Sequence, residues 1–233
     1  MTTAPLMITD ITLTNFRCFQ KLSLHFTSSI VLIEGDNGAG KTSLLEALHY
    51  ACYLRSFRAT MPTQLIHFNA SAFSLSIQGT TLEESWALVV GASQEKRMVK
   101  LNGAPLLTHK QIFDYYRVIT ITEHDIDLIA GYPQARRTFL DSTLFLLDTD
   151  YGILLKQYTK IIKQRTAVLT NHFFDQNAYD LWTEKFCAAS RAIQEKRCEL
   201  LKKLELKVQD LLRIYCPTSS LTIACAYAEK KTK

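Results

Sequence analysis

Long hydrophobic runs are absent from this 233-residue sequence, and their absence excludes a membrane-spanning protein. No apolar stretch approaches the roughly 20 residues that a transmembrane helix needs. The first five residues have neither the basic patch nor the apolar core of a signal peptide. Six cysteines occur without any Cys-x-x-Cys pair, so neither a zinc site nor a disulfide framework is indicated. We therefore expect reduced, buried thiols in a cytoplasmic protein.

An excess of positive charge is lacking in the first part of the chain and concentrated in the second. Residues 1–149 carry 12 lysines and arginines against 13 acidic residues, whereas residues 150–233 carry 15 against 9. A concentrated basic surface is typical of proteins with phosphate-rich partners such as nucleic acids. The same excess also fits a solvated, lysine-rich helix face, and charge alone does not decide between the two.

The first 148 residues have the pattern of an α/β body. Alternating apolar residues predict strands in the opening stretch and again between residues 73 and 101. Two short β-branched runs, residues 30–33 and 117–121, predict further strands, the first of them buried on both faces. Three more features are a helix from Lys41 to about Leu54, a tight turn at Asn102-Gly103 and a helix opened by Pro133 and running through Leu147.

From Tyr151 onward the apolar spacing becomes helical. One helix is predicted to about Leu169, then a loop over residues 171–180, then a longer helix from Leu181 to about Cys216. Two long helices joined by a short loop predict an antiparallel hairpin, inserted as an arm into the body. Residues 220–227 alternate like a strand that returns to the body. The predicted organisation is body 1–148, arm 149–216 and returning strand 217–233.

The strongest motif is a phosphate-binding loop. Residues 35–42 fit G-x-x-x-x-G-K-[ST] at every fixed position, between a predicted strand and a predicted helix. Glycines let successive backbone N–H groups face phosphates, and the helix start adds its positive dipole end. Lys41 is predicted to reach the β- and γ-phosphates and Thr42 to supply a Mg²⁺ ligand. The predicted nucleotide-binding residues are Gly35, Asp36, Asn37, Gly38, Ala39, Gly40, Lys41, Thr42 and Ser43.

Further motifs accompany this loop along the chain. They are Ile11-Thr12-Leu13-Thr14-Asn15-Phe16-Arg17-Cys18-Phe19, Leu54-Arg55-Ser56-Phe57-Arg58 with Leu65-Ile66, Leu101-Asn102-Gly103, and Gly131-Tyr132-Pro133 with Arg136-Arg137-Thr138-Phe139-Leu140-Asp141. In this combination the chain resembles, over nearly its whole length, the N-terminal part of the RecF family. These are bacterial recombination and gap-repair proteins related to the SMC group of ABC-type ATPases.

The resemblance implies a P-loop ABC-ATPase-like body, with a mixed sheet around the P-loop strand and helix and an inserted helical-hairpin arm. It implies an ATP-modulated DNA-binding protein of the bacterial cytoplasm, active in recombinational repair, replication maintenance and the SOS response to DNA damage. The implied cofactors are ATP and Mg²⁺. The implied partners are single-stranded or gapped DNA, recombination mediator proteins, and a second copy of the protein in an ATP-dependent homodimer.

Several charged residues are candidates for roles that the resemblance suggests. Arg55 is a candidate contact for nucleotide or DNA, because a guanidinium suits phosphate oxygens, although a structural pairing is equally compatible with it. For Arg137 we favour a structural i, i+4 pair with Asp141. The residues Glu123, His124 and Asp125 fall where related ATPases join their lobes, and His124 departs from the family pattern. The full set of candidate phosphate or DNA contacts is Arg17, Arg55, Arg58, Arg136 and Arg137.

The 233 residues contain neither a Ser-x-Gly-Gln signature loop nor an apolar run that ends in an acidic pair. ABC-type hydrolysis uses both, so we expect nucleotide binding without turnover and no catalytic residue within this chain. The chain would then be a truncated or split product, or part of a longer sequence. Basic residues of the arm are expected to bind DNA: Lys156, Lys160, Lys163, Arg165, Lys196, Arg197, Lys202 and Lys203.

The sequence is also compatible with two other functions. A self-sufficient P-loop kinase or nucleotidase would need an acidic Mg²⁺ ligand at a strand end, for which Asp125 is the candidate. A non-catalytic scaffold would use the helical arm to bind a protein partner, along the apolar seam between Ile193 and Tyr215. Salt-dependent DNA binding would favour the DNA-binding function over the scaffold.

Overall fold

The computed structural model describes residues 7–81, 84–106, 111–148, 150–171 and 175–218. The chain divides into two compact units, Met1–Thr122 and Glu123–Lys233. The strand predicted at residues 220–227 lies outside the described residues.

The first unit is built on a six-stranded antiparallel sheet with the order β2-β1-β3-β4-β5-β6. Its register places Ile11, Ile77 and Leu88 side by side on adjacent strands, and all three side chains are buried. Because side chains alternate along a strand, the opposite face carries polar residues such as Thr12 and Ser76. The strands are β1 Met7–Phe16, β2 Phe19–His25, β3 Ala72–Thr80, β4 Ser85–Ser93, β5 Arg97–Leu101 and β6 Ala104–Pro105.

Helix α1 (Lys41–Tyr53) contributes the helical side of this core, and a short helix, α2 (Ile112–Tyr115), follows the sheet. The ring of Phe73 on β3 meets the rings of Phe16 and Tyr50 edge-on, with centroids 5.2 and 5.4 Å away. Such pairs add to the burial energy of large aromatic side chains. The predicted turn at residues 102–103 is confirmed, since Asn102 and Gly103 both have positive φ, 51° and 81°.

Two predicted strands are corrected by the structure. Within the described residues, neither 30–33 nor 117–121 pairs with a strand, and the side chains of Ile30, Leu32, Ile119 and Ile121 are largely exposed. A β-branched side chain fits well on a pleated, half-buried surface, but β-branched residues do not by themselves create a strand. A strand requires a neighbour, and the described residues provide none for either segment.

The second unit is helical: α3 (Asp127–Ala130), α4 (Pro133–Leu147), α5 (Tyr151–Thr170) and α6 (Gln176–Tyr215). Its core gathers Leu140 and Leu144 from α4, Tyr151 from α5, and Ile193 and Leu200 from α6. The predicted bounds of α4 are confirmed. In α6 the start predicted at Leu181 is wrong by five residues, because Asp175 is the N-cap and its Oδ1 accepts a hydrogen bond from the Ala178 amide.

The predicted helical hairpin is confirmed. Tyr158 of α5 stacks on Phe186 of α6 with centroids 5.7 Å apart, while Arg165, later in α5, contacts Tyr179, earlier in α6. Contacts that advance along one helix and recede along the other define an antiparallel pair. Although α6 runs for 40 residues, none of the helices in the described ranges is both long and apolar enough to cross a membrane.

Candidate nucleotide-binding site

The glycine-rich loop before α1 adopts a backbone that other residues rarely adopt. Gly35, Gly38 and Gly40 have φ values of 147°, 88° and 96°, in the region where a Cβ is strained. Lys41 begins α1 and turns its side chain back over the loop, so that Nζ donates to the carbonyl oxygens of Gly35 at 2.6 Å and Asp36 at 2.8 Å. The loop therefore curls around an ammonium group at the start of a helix.

The start of α1 is open to an anion. Gly40 is its N-cap and offers no side-chain oxygen, and the first turn holds no acidic residue. The first amides of a helix lack intrahelical partners, and the helix dipole favours negative charge at this end. Together with the Lys41 ammonium, these donors fit a polyphosphate. Thr42 is exposed beside them, and its hydroxyl is suited to bind Mg²⁺ together with phosphate oxygens.

The turn between β1 and β2 lies directly beneath this loop. A Cβ placed on Gly40 would come within 2.6 Å of Phe19 Cζ and 2.7 Å of Cys18 Sγ, closer than real Cβ atoms approach other atoms. Only a glycine fits at this position. The contact also shows that the P-loop packs against residues 18 and 19.

Arg17, in the same turn, is held by a buried carboxylate on α1. Its Nε donates to Glu46 Oε2 and its Nη2 to Glu46 Oε1, both at 2.8 Å, and its Nη1 donates to the Gln64 carbonyl at 2.9 Å. Glu46 is fully buried and is the only wholly enclosed charged residue among those described. Ser56 donates to Glu46 Oε1 as well. Sequence reasoning placed Arg17 among the phosphate contacts and gave Glu46 no role.

Arg55 and Arg58 lie in an irregular segment after α1, as predicted, and both are exposed. The Arg55 guanidinium lies 6.0 Å from the centroid of the Tyr53 ring, at the limit of a cation–π contact. The Ser56 hydroxyl accepts hydrogen bonds from the Arg58 amide at 2.8 Å and the Ala59 amide at 2.7 Å, which orders this segment. Their role as phosphate or DNA contacts remains a prediction.

His49 of α1 was not singled out from the sequence, because a lone histidine in a helix carries no spacing signal. Its ring packs on Tyr53 with centroids 4.5 Å apart and meets Phe57 edge-on at 5.2 Å, and Nδ1 is 2.8 Å from the Thr120 hydroxyl. Burial, with a smaller contribution from the nearby positive charge of Arg55, lowers the pKa of His49 from 6.5 to about 4.

In the second unit, the predicted pair between Arg137 and Asp141 is wrong. Arg137 donates instead to Gln134 Oε1, from Nη2 at 3.0 Å, because Asp141 is bound by Arg197 of α6 through two bonds of 2.8 and 2.9 Å. Arg136 donates to three carbonyl groups at the end of α3, those of Leu128, Ile129 and Gly131.

The predicted lobe-junction residues form a short 3₁₀ turn, Glu123–Ile126. The side chains of Glu123 and Asp125 are exposed, and that of His124 lies outside the described part of the structure. No group of three or more potential metal ligands occurs among the residues that the structure describes.

The basic residues of the arm fall into two groups. Arg197 is buried, and Arg165 is held by the Tyr179 and Thr183 hydroxyls and lies over the Phe186 ring. The burial of Arg197 corrects its placement among the DNA contacts. Arg165 is half-buried, and its contact with DNA stays a prediction. Lys196 pairs with Asp148 at 2.9 Å but stays exposed. The remaining predicted lysines are all exposed: Lys156, Lys160, Lys163, Lys202 and Lys203.

Comparison with known proteins agrees with this geometry. A profile of the family described as AAA domain matches residues 10–214. Similar curated proteins include the DNA replication and repair protein RecF of Leptospira interrogans, which is 31% identical over an alignment of 203 residues. The match covers 85% of this chain and 55% of the relative. The RecF protein of Chloroherpeton thalassium is 32% identical over an alignment of 192 residues, and the match covers 80% of this chain and 52% of the relative. The chain spans about half the length of the curated relatives it matches.

A solved structure described as the recombination mediator protein RecF-ATPrS in the RecFOR pathway has a TM-score of 0.86 to this chain. The two sequences are 25% identical, and the match covers 92% of this chain and 59% of the solved chain. The fold class predicted from the sequence is confirmed by this likeness, as is the resemblance to the N-terminal part of RecF. The remaining part of the related ATPase body has no counterpart in these 233 residues.

Proposed function

The chain belongs to the AAA domain family, and from that premise we propose that it is the nucleotide-binding part of a RecF-type DNA repair and replication protein. One observation carries the proposal: Lys41 is the first residue of a helix whose N-terminus has no side-chain cap, and the loop before it has three glycines at positive φ. This arrangement supplies a cation and unpaired amides at one point, as a triphosphate requires.

In this proposal ATP binds at residues 35–43, and Thr42 holds Mg²⁺ together with the phosphates. The described residues near the loop support binding more than turnover. Phosphoryl transfer requires a positioned water and charge stabilisation around the γ-phosphate. The carboxylate of Glu46, the buried acid of α1, already accepts hydrogen bonds from Arg17 and Ser56. We therefore infer that these 233 residues bind ATP without hydrolysing it.

The DNA-binding part of the proposal depends on the exposed lysines of the arm. Lys156, Lys160 and Lys163 recur along α5 at intervals of three and four residues, which places them on one side of the helix. Lys202 and Lys203 add exposed charge on α6. Such a surface binds phosphates without regard to sequence. The proposed partners are single-stranded or gapped DNA, recombination mediator proteins and a second, ATP-bound copy of the protein.

The role in DNA replication and repair follows the names of the RecF relatives. The proposal also includes the bacterial, cytoplasmic location and the part in the SOS response that the resemblance to the RecF family implies. It also includes the order of body 1–148, arm 149–216 and returning strand 217–233. A scaffold function is the second candidate. It is favoured by the exposed apolar residues near the end of α6: Leu206, Leu211, Ile214 and Tyr215.

Calorimetry with MgATP and MgADP tests the nucleotide site. Lys41→Ala should weaken binding by about 1.5–3 kcal/mol, because it removes a charge-assisted contact. Lys96→Ala, in the exposed turn between β4 and β5, is the matched control and should bind like wild type. Equal affinity of wild type and Lys41→Ala would overturn the assignment. Steady ATP hydrolysis abolished by Lys41→Ala would replace it with a small P-loop enzyme.

Titration of gapped and single-stranded DNA at several salt concentrations tests the arm. Log affinity should fall with log salt by about 0.9 per phosphate contact on duplex DNA. Lys156→Ala with Lys160→Ala should reduce that slope by about 2 on duplex regions, on the same rule. DNA binding that does not depend on the salt concentration, or no DNA binding at low salt, would favour the scaffold function.

A further inference from the structure

We propose that Arg17 and Glu46 form a brace that positions the nucleotide site, and that Arg17 acts through Glu46 rather than on the nucleotide. The inference rests on the proposed ATP-binding function. In it, Arg17 is a positioning residue, and one buried carboxylate connects three segments around the P-loop: the β1–β2 turn, helix α1 and the segment after α1.

The first connection joins the turn to the helix. Two parallel hydrogen bonds fix the Arg17 guanidinium on Glu46, and a third N–H group is used by the Gln64 carbonyl. A fully buried carboxylate is costly unless it is paired and hydrogen-bonded, so Glu46 requires this guanidinium where it is. Moving Arg17 onto a phosphate would leave Glu46 buried without its counter-charge.

The second connection is made by the turn itself. Asn15 and Arg17 have positive φ, 53° and 52°, and the turn is held by bonds from the Arg17 amide to the Leu65 carbonyl and from the His67 amide to the Asn15 carbonyl, both 2.8 Å. The next two residues lie against Gly40 at the end of the P-loop. The turn that holds Glu46 therefore also forms the floor of the phosphate loop.

The third connection runs to the segment that carries Arg55 and Arg58. The Ser56 hydroxyl donates to Glu46 and accepts from the amides of Arg58 and Ala59. Because Glu46 and Lys41 lie on the same helix, five residues apart, a shift of Glu46 moves the helix start as well as this segment. The brace thus fixes where the P-loop, Lys41 and the two exposed arginines stand relative to one another.

This arrangement and a direct phosphate contact predict opposite effects of neutralising Glu46. If Arg17 bound phosphate directly, Glu46→Gln would release the guanidinium, and nucleotide affinity would stay equal or rise. If Arg17 acts through Glu46, both Glu46→Gln and Arg17→Gln weaken binding. The two substitutions then break the same connection, so the double variant binds no more weakly than the worse single variant.

The experiment measures MgATP affinity by calorimetry for Arg17→Gln, Glu46→Gln and the double variant, at a temperature where each is folded by circular dichroism. Each single variant should bind roughly tenfold more weakly, a factor typical of coupled neighbours. The matched control is Arg197→Gln, which breaks the bidentate pair with Asp141 in the second unit. It should lower thermal stability and leave MgATP affinity unchanged.

A second measurement separates positioning from general destabilisation. Hydrogen exchange of the Arg58 and Ala59 amides should accelerate in Arg17→Gln, although Arg17 contacts neither amide, and should not change in Arg197→Gln. If Arg17→Gln does not fold, Ser56→Ala is the substitute variant, because it leaves the Arg17–Glu46 ion pair in place. Ser56→Ala should accelerate hydrogen exchange of the same two amides and weaken MgATP binding by a smaller factor than the ion-pair variants.

Unchanged affinity in folded Arg17→Gln and Glu46→Gln would overturn the brace, as would tighter binding by Glu46→Gln. Both results leave the proposed function standing if Lys41→Ala still weakens MgATP binding as expected. Failure of the proposed function is different: wild type itself then shows no MgATP binding, or Lys41→Ala binds as wild type does.

Discussion

The two units each contain a bidentate arginine–carboxylate pair and a helix whose start is well defined, but the pairs differ in burial and the helix starts differ in capping. In the first unit Glu46 is fully buried and α1 begins at a glycine that gives no cap. In the second unit Asp141 stays 22% exposed and α6 begins at a capping aspartate. A helix that caps its own amides has completed its structure, whereas uncapped amides beside a lysine remain available for a ligand.

The comparison also shows which cations remain at the surface. Arginines that the sequence suggested for phosphate contact are partly used inside each unit, Arg17 by Glu46 and Arg197 by Asp141. A planar guanidinium suits such bidentate pairs, while the flexible lysine chain keeps its charge in water. The exposed positive charge of the arm is accordingly carried mainly by lysines. DNA binding should therefore respond more to lysine than to arginine substitutions in the arm.

The largest expected effect separates the two ion pairs. Arg17→Ala should lower the free energy of unfolding by about 3–5 kcal/mol, since it strands a buried carboxylate. Arg197→Ala should cost only about 2 kcal/mol, because Asp141 is partly hydrated and keeps its 2.5 Å bond from the Tyr151 hydroxyl. Urea unfolding of both variants measures the difference. Equal losses would mean that the burial of the carboxylate does not set the cost.

The second prediction compares a glycine from each unit. Gly40→Ala should abolish measurable MgATP binding, since strain of about 1–3 kcal/mol at positive φ adds to a clash with Phe19 and Cys18. Gly152→Ala in α5 has ordinary φ and would meet only the movable Phe145 side chain. It should leave MgATP binding unchanged. Calorimetry on both variants decides, and normal binding by Gly40→Ala would show that the loop can shift away from the β1–β2 turn.

Sequence reasoning succeeded where the signal was local. The glycine-rich loop before α1, the bounds of α1 and α4, the turn at residues 102–103 and the helical hairpin each follow from a short motif or from apolar spacing. It failed where partners are distant along the chain. Glu46 lies 29 residues from Arg17, and Arg197 lies 56 residues from Asp141, so no spacing rule could pair them. The prediction of a strand at residues 30–33 was wrong for the same reason, because strand pairing depends on neighbours that local composition does not specify.

The third prediction concerns pH. The pKa of His49 is lowered to about 4, chiefly by burial, so folding favours the neutral ring. The unfolded chain binds the proton first as pH falls from 6.5 towards 4, and the stability contributed by the neutral ring is lost over that range. In the second unit Lys196 holds the pKa of Asp148 below 3.8, so its contribution is lost only at lower pH. His49→Gln should flatten the loss between pH 6.5 and 4, as measured by urea unfolding at a series of pH values. An unchanged profile would contradict this.

The smallest expected effect tests the cap of the second unit. Asp175→Ala should lower stability by about 1 kcal/mol, because it removes the acceptor of the Ala178 amide and a negative charge at the positive end of the α6 dipole. Asp175→Ser is the control and should retain most of that stability, since a serine hydroxyl also caps. Hydrogen exchange at Ala178 should accelerate in the alanine variant alone, with MgATP affinity unchanged. If MgATP binding weakened in Asp175→Ala, the start of α6 would influence the first unit, and the division between a self-capped arm and an open nucleotide site would have to be abandoned.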